Sequence, residues 1–302
     1  MSPPPPEWRI MGGANYKSIG RPRVNPRKAL QEWLTLADAI VASGAEISVL
    51  PPPSSPALLS GLMYTANAGW LMTANRFKVA NLSVAHRRAE QAYLLGALPG
   101  LLGLSAEGTS TLWEGQADMG TLGPSSVILS YGVRSAFESI AEVRALIPSS
   151  VRTHAARLRE PFFHGDTCMD LIETRSGPAW LVFPGAFASN EEYLGVRSFA
   201  EREAEVIELR EADALAYACN SLSIGRTLLA PVGLSGELTS LLIGKGVDLR
   251  PLDFGELFGK GGGGPRCLVN ELRGLDAAPR ATRYPEQRGE LAGAMEAYPT
   301  ET

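Results

Sequence analysis

Phe163-His164-Gly165-Asp166-Thr167-Cys168 sets the period on which the rest of this chain is read. A polar cluster, His164 with Asp166 two residues on, is followed by an apolar run, a turn rich in Gly or Ser and a second apolar run. The same phrase recurs at Tyr64-Thr65-Ala66-Asn67, at Glu114-Gly115-Gln116-Ala117-Asp118, at Ala218-Cys219-Asn220 and at Arg266-Cys267. From Asn67 to Glu114, His164, Asn220 and Cys267 the steps are 47, 50, 56 and 47 residues. A repeat of that length, holding a few strands and one helix, can close into a ring with each polar cluster at the inner end of its unit. Strand–helix alternation alone supplies landmarks by chance, but the chemical coherence of the five clusters argues against that origin.

Helical periodicity is clearest over 28–41, 85–98, 133–146, 190–203 and 234–242, with Gly96, Gly195 and Gly236 weakening three of these segments. Apolar runs of strand length lie at 47–50, 126–129, 179–183 and 227–230, each bounded by Gly, Pro or Ser. A chain of 302 residues has room for one large domain or two ordinary ones. The repeat places residues 8–275 in a single domain. The proline-rich residues 1–7 are expected to be loose, and 276–302, with little apolar periodicity, to form a disordered tail.

A formal charge of −4, with acidic and basic residues mixed along the chain, leaves no basic footprint for nucleic acid and favours a small-molecule or protein partner. Three cysteines, Cys168, Cys219 and Cys267, lack paired spacing; the odd count argues against a disulfide framework and fits a reducing compartment, the cytoplasm by default. The start of the chain shows no basic and apolar leader pattern. No stretch approaches the roughly 18 apolar residues of a membrane span. No His-Glu-x-x-His or Cys-x-x-Cys is present, and the three histidines are far apart, so no metal is expected. Lys260 precedes the glycine run and no Lys-Ser/Thr follows it, which argues against a phosphate loop; a dinucleotide fingerprint is also missing, so no cofactor is expected.

Gly261-Gly262-Gly263-Gly264-Pro265-Arg266-Cys267 ends a glycine run on a lone thiol. Glycines let a backbone approach a ligand without Cβ clashes, so Cys267 reads as a nucleophile with His164 as a distant acid/base. His86 and His154 read as surface residues.

Taken in order, the Glu114–Asp118 phrase, His164-Gly165-Asp166-Thr167, Ala218-Cys219-Asn220-Ser221-Leu222-Ser223-Ile224-Gly225 and Gly262-Gly263-Gly264-Pro265-Arg266-Cys267 resemble the guanidino-modifying superfamily. That group holds arginine deiminases, arginine dihydrolases, dimethylarginine dimethylaminohydrolases and amidinotransferases, and the similarity runs from about residue 11 to 275. The resemblance implies a pentein: a five-bladed α/β propeller of ββαβ units with pseudo-five-fold symmetry, agreeing with the period above. It implies Cys267 as nucleophile, His164 as acid/base and Glu114 as a carboxylate that grips the substrate and relays protons. Asp166, Asn67, Asp118 and Asn15 would bind an arginine-like guanidino substrate, the choice between Glu114 and Asp118 for the inward acid being open.

Three positions depart from the family pattern. Gly165 stands where a bulky apolar residue is usual, Arg266 where a His often precedes the nucleophile, and Asn67, which resembles the arginine dihydrolase branch, where many other relatives carry Asp. Two activities share the covalent half-reaction: hydrolysis of a C–N bond of arginine or a substituted arginine, and transfer of the amidino group to an amine. A third reading is a non-enzymatic binder on the same fold, as in ribosome anti-association factors, which lack the Cys, His and acid set. Closed propellers of this size often pair through exposed edges, so a homodimer is compatible with the sequence.

Overall fold

The computed structural model describes residues 1–20, 22–53, 59–73, 75–123, 125–275 and 282–301. They form two compact units, Met1–Ser110 with Asp253–Thr302, and Thr111–Leu252.

The second unit is three copies of one plan. A short 3-10 turn leads into an antiparallel hairpin, a helix follows, and a third strand pairs in parallel with the second. The first copy has strands β4 (Met119–Thr121), β5 (Ser126–Tyr131) and β6 (Arg152–Arg157) around helix α3 (Glu138–Arg144). The second has β7 (Met169–Thr174), β8 (Gly177–Val182) and β9 (Glu205–Glu208) around α4 (Asn190–Ala200). The third has β10 (Leu222–Ile224), β11 (Thr227–Pro231) and β12 (Asp248–Leu252) around α6 (Gly236–Gly244), with α5 (Glu211–Leu215) as an added turn before it. Middle strands read as near-continuous apolar runs because both faces are covered. In β8, Ala179, Trp180, Leu181 and Val182 are all buried. Ser189 and Ser235 cap α4 and α6 by accepting the N–H groups of Glu192 and Leu238.

The first unit holds a fourth copy, β1 (Gly69–Thr73), β2 (Arg76–Val79) and β3 (Ser105–Gly108) around α2 (Ala89–Leu102). The sequence leads to five such sheets; among the described residues there are four. Among the described residues the expected strand at 47–50 is an isolated bridge, Ser48 to Arg283, flanked by Tyr284 N–H donating to the Ile47 carbonyl (3.0 Å) and Val49 N–H to the Thr282 carbonyl (2.6 Å). The rest of this unit is built around α1 (Pro26–Ala42), which starts on an Asn25 cap with Pro26 in its first turn. The four 3-10 turns begin at Thr65, Gly115, Gly165 and Ala218, recurring every 50 to 53 residues. Each polar phrase from the sequence is one of these turns, save Arg266-Cys267.

Both chain ends are more ordered than their composition suggests. Residues 2–5 are buried, Met1 donates its amino group to the Ser48 carbonyl (2.9 Å), and Trp8 is 2 % exposed. An apolar ring and the flat faces of prolines gain enough by burial to offset the entropy of ordering them. At the other end α7 (Tyr284–Ala294) packs on α1: Tyr284 meets Trp33 edge-on at 5.8 Å, and Arg288 grips Asp38 with two N–H bonds of 2.8 and 2.7 Å. The expectation of a loose start and a disordered tail therefore fails at 1–7 and at 282–301; residues 276–281 and 302 lie outside the described residues. No helix among the described residues is long and apolar enough to cross a membrane.

One buried acid ties α1 to the segment leading into the glycine run. Glu32 accepts N–H bonds from Glu256 (2.9 Å) and Leu257 (2.9 Å), and burial pushes its carboxyl up to about 7 against those bonds and nearby Lys28. The folded chain thus holds this proton more tightly than the unfolded one, so its stabilisation is complete below about pH 4.5 and lost as pH rises through about 7. Relative to Glu32→Gln, the wild type should lose on the order of 3 kcal/mol over that window, read from urea unfolding of both proteins at pH 5 and pH 8.

The unusual Gly165 has a packing cause. A Cβ there would lie 2.5 Å from Ser130 Oγ, 2.9 Å from Met169 Cε and 3.3 Å from the Ala117 carbonyl. Ser130 Oγ is buried and has no hydrogen-bond partner among the described residues, so removing it costs little. Gly165→Ala should destabilise by about 1–3 kcal/mol, Ser130→Ala should be close to neutral, and the double variant should recover most of the loss in thermal melts.

Candidate active site

The residues singled out in the sequence fall into two groups, one in each unit. In the unit Thr111–Leu252, Glu114 and His164 occupy equivalent places, each the residue just before a 3-10 turn. Their side chains meet, His164 Nε2 lying 3.2 Å from Glu114 Oε2, with both residues almost wholly buried. The His164 and Phe163 ring centroids are 4.8 Å apart in an edge-on arrangement, and the Arg134 guanidinium lies over the phenyl ring at 5.1 Å. His164 Nδ1 is buried and has no hydrogen-bond partner among the described residues.

Asp118, at the end of its turn, has both oxygens engaged. Oδ2 accepts from Ser135 Oγ (2.6 Å) and Oδ1 from Gly165 N–H (3.0 Å). Of the two acids in this phrase, Glu114 is the one hydrogen-bonded to the histidine, and Asp118 braces the backbone beside it. Asp166 lies inside the next turn, whose shape is fixed by Thr167 Oγ1 donating to the His164 carbonyl (2.7 Å) and by Asn220 Nδ2 donating to the Asp166 carbonyl (3.1 Å). Asn220 is placed by Tyr217, a buried residue at φ 62°. That left-handed conformation is costly for a residue with a Cβ and persists only where packing enforces it.

Three carboxylates around one imidazole decide the charge state. Burial opposes the imidazolium, but the Glu114 hydrogen bond and the charges of Asp118, Glu114 and Asp166 outweigh it, so the His164 pKa is raised. Asp118 is pushed up to about 6, chiefly by burial, while His164, Ser135 and Gly165 N–H pull it down and Glu114 raises it further. Asp118 and His164 are both held protonated to higher pH than when free in solution, a pattern common at catalytic sites.

In the other unit, Cys267 follows the glycine run and is 5 % exposed; its carbonyl accepts from Ala66 N–H (3.1 Å) in the turn that carries Asn67. The glycines are small for reasons internal to the chain. A Cβ at Gly261 would stand 2.1 Å from Tyr64 Oη, at Gly263 2.3 Å from Tyr64 Cε1, and at Gly262 (φ +84°) 2.4 Å from Asn15 Oδ1. The run is wrapped on Tyr64, whose hydroxyl donates to the Leu257 carbonyl (3.1 Å). Room for a ligand is thus not what these three glycines provide. Asn15, expected to bind substrate, accepts with Oδ1 from Lys17 N–H (2.9 Å) and Ser18 N–H (3.0 Å) and donates to the Gly261 carbonyl (3.1 Å); it clamps the run.

Asn67 is held by a residue the sequence did not mark. Arg87 donates from Nη1 to Asn67 Oδ1 (2.8 Å), forks onto Glu90 through Nε and Nη2 (2.8 Å each), and bonds the Gly61 carbonyl (2.8 Å). Because a guanidinium only donates, the Asn67 amide must turn its oxygen towards Arg87. The i,i+3 spacing of Arg87 and Glu90 was a readable signal; their link to Asn67, 20 residues away, was not. Arg266 is paired with Glu271, which also accepts from Arg273 (2.6 Å). Burial raises the Glu271 pKa, but the two arginines overcome it and leave the net shift downward. The charge of Arg266 is thus largely balanced before it can act on the neighbouring thiol.

Cys168 and Cys219 are buried, and burial pushes both thiols well above their usual range, so neither is a nucleophile at neutral pH. His154, expected on the surface, is half-buried and its ring lies 5.4 Å from Phe199; burial lowers its pKa. Among the described residues no group of three or more His, Cys, Asp or Glu is arranged to hold a metal ion.

No family model matches the chain. An uncharacterized protein of Caenorhabditis elegans is 27 % identical over 252 residues, covering 82 % of this chain and 85 % of its own length. The bifunctional arginine dihydrolase/ornithine cyclodeaminase AgrE of Nostoc sp. is 25 % identical over 252 residues, which are 80 % of this chain; the match spans about a third of AgrE (33 %). Among solved structures, the N-terminal domain of ArgZ, an arginine dihydrolase from cyanobacteria, superimposes with a TM-score of 0.78 at 21 % identity, covering 90 % of this chain and 96 % of that domain. Another structure of the ArgZ domain carries a covalently bound reaction intermediate. The chain therefore has the mixed α/β pentein fold of this arginine dihydrolase domain.

Proposed function

We propose that this chain is a cofactor-independent hydrolase of guanidino compounds, acting on arginine or a substituted arginine through a covalent intermediate on Cys267. The observation that carries it is His164: a buried imidazole anchored through Nε2 by Glu114, surrounded by acids, with Nδ1 unpartnered among the described residues. Such an imidazole is held in one orientation and has a nitrogen left for proton transfer. The fold shared with an arginine dihydrolase domain supports a guanidino substrate.

The chemistry follows from the substrate. A guanidinium carbon is a poor electrophile because three nitrogens share its charge, so a strong nucleophile is required. Cys267 Sγ, as thiolate, bonds to that carbon. The adduct collapses as one C–N bond breaks, and the departing amine takes a proton from the His164 imidazolium. Water then gives a proton to His164 as its oxygen attacks the S-bound carbon; the C–S bond breaks and the thiolate is restored. Deimination of arginine gives citrulline and ammonia, and a second hydrolysis gives ornithine, ammonia and carbon dioxide. Asp166 and Asp118 supply negative charge around the cation, Asn67 hydrogen-bonds the substrate, and Glu114 holds and tunes the imidazole.

The deciding assay is arginine, and then N-substituted arginines, incubated with the protein and analysed for citrulline, ornithine, ammonia and amines. Citrulline or ornithine with ammonia is the expected outcome. Ornithine with a new guanidino compound, formed only when glycine or lysine is added, would instead make the protein an amidinotransferase. Because the acids raise the His164 pKa, the protonated acid persists above the ordinary histidine range, and the first half-reaction should slow as pH rises through that raised value.

Cys267→Ser should lower turnover by at least about a thousandfold while leaving the far-ultraviolet circular dichroism unchanged. Chloroacetamidine should alkylate Cys267 and leave Cys168 and Cys219 unmodified, as mass spectrometry of tryptic peptides would record. Full turnover in the serine variant would end the covalent mechanism.

A further inference from the structure

Ser135 lies in the loop after β5, unmarked by any motif, yet it sits at the junction of the candidate site. Its hydroxyl accepts the Glu114 N–H (3.0 Å) and donates to Asp118 Oδ2 (2.6 Å). Asp118 Oδ1 accepts the N–H of Gly165, the residue after His164 (3.0 Å), and the imidazole of His164 returns to the Glu114 carboxylate (3.2 Å). These four contacts close a ring through the backbone at 114, the serine hydroxyl, the Asp118 carboxylate, the backbone at 165, the imidazole and the Glu114 side chain. Only a hydroxyl fits the serine's place, since the position needs one acceptor and one donor on a single atom.

The ring is buried and braced from outside. Ser135, Asp118, Glu114 and His164 are each at most 4 % exposed, so water does not replace a lost bond. The loop itself is fixed by Gly132 N–H donating to the Ser135 carbonyl and Ala136 N–H to the Leu112 carbonyl, both 2.9 Å.

We propose that Ser135 is a positioning residue for the reaction: by bridging the Glu114 backbone and the Asp118 carboxylate, it sets how the Glu114 carboxylate meets the His164 imidazole. The proposal rests on His164 being the acid/base of the function proposed above. A purely structural serine would affect stability alone. A positioning serine also alters the imidazole, because its O–H favours the charged form of Asp118, and that anion supports the imidazolium. The other charged groups around His164 are Glu114, Asp166 and, across Phe163, Arg134.

The test compares full-length wild type, Ser135→Ala and Ser135→Thr by two measurements. One is the imidazole titration of His164 by nitrogen NMR, its signal assigned by its loss in His164→Gln. The other is steady-state kinetics on arginine, or on whichever N-substituted arginine the product assay shows to be turned over. Ser135→Ala should lower the His164 midpoint and cut kcat about tenfold with KM within about twofold, and Ser135→Thr should restore both. A Ser135→Ala protein that melts earlier but keeps the wild-type midpoint and kcat overturns the proposal. If no variant, wild type included, turns over a guanidino compound, the functional reading fails while the titration still decides for or against the ring. Should Ser135→Ala not fold, Asp118→Asn is titrated in its place, and an unchanged midpoint counts against the proposal.

Discussion

The constraint on which this structure depends is the order of pairing within each sheet: antiparallel first, parallel second. A hairpin carries the chain away from the starting turn and back, and the helix then returns it so that the third strand runs beside the second in the same sense. The chain therefore leaves each sheet at the end where it entered. The polar turn opening the next repeat follows from that end, and in the unit Thr111–Leu252 successive turns touch one another through Glu114 and His164, then through Asp166 and Asn220. Residues 50 apart in sequence become bonded neighbours without any long loop.

Those turns are polar because the chain changes direction there, and buried because further repeats pack around them. Burying several carboxylates is expensive unless something offsets it. Here the offsets are specific: one backbone N–H and a hydroxyl for Asp118, an imidazole for Glu114, and for His164 the acids themselves. The packing raises the proton affinity of both Asp118 and His164, so the burial that makes the turns costly also suits them to proton transfer.

The positions of four repeats were legible because their polar phrases interrupt apolar runs at a steady interval, and the middle strands at 126–129, 179–183 and 227–230 were readable as apolar runs. The outer strands were not, since Arg152–Arg157 or Glu205–Glu208 carry too many polar residues to stand out. The run 47–50 also reads as a strand, but among the described residues it makes an isolated bridge from Ser48 to Arg283, with flanking backbone bonds to Thr282 and Tyr284 far along the chain. Composition misjudged both ends, because Trp8, Tyr284 and Tyr298 anchor segments otherwise rich in proline and charge. Of the candidate site, His164, Glu114, Asp118 and Asp166 were visible as a set, whereas Ser135 and Arg87 were invisible, since their importance lies in partners that no local pattern announces.

Tyr64 and the glycine run are fitted to each other atom by atom, although they lie some 200 residues apart. Transplanting the 261–264 segment into a related scaffold, or shuffling it between homologues to widen substrate range, would separate a ring from the groove cut for it. The unit of exchange in such engineering is the loop together with the aromatic side chain at 64, and libraries that vary one without the other would be filled with misfolded members.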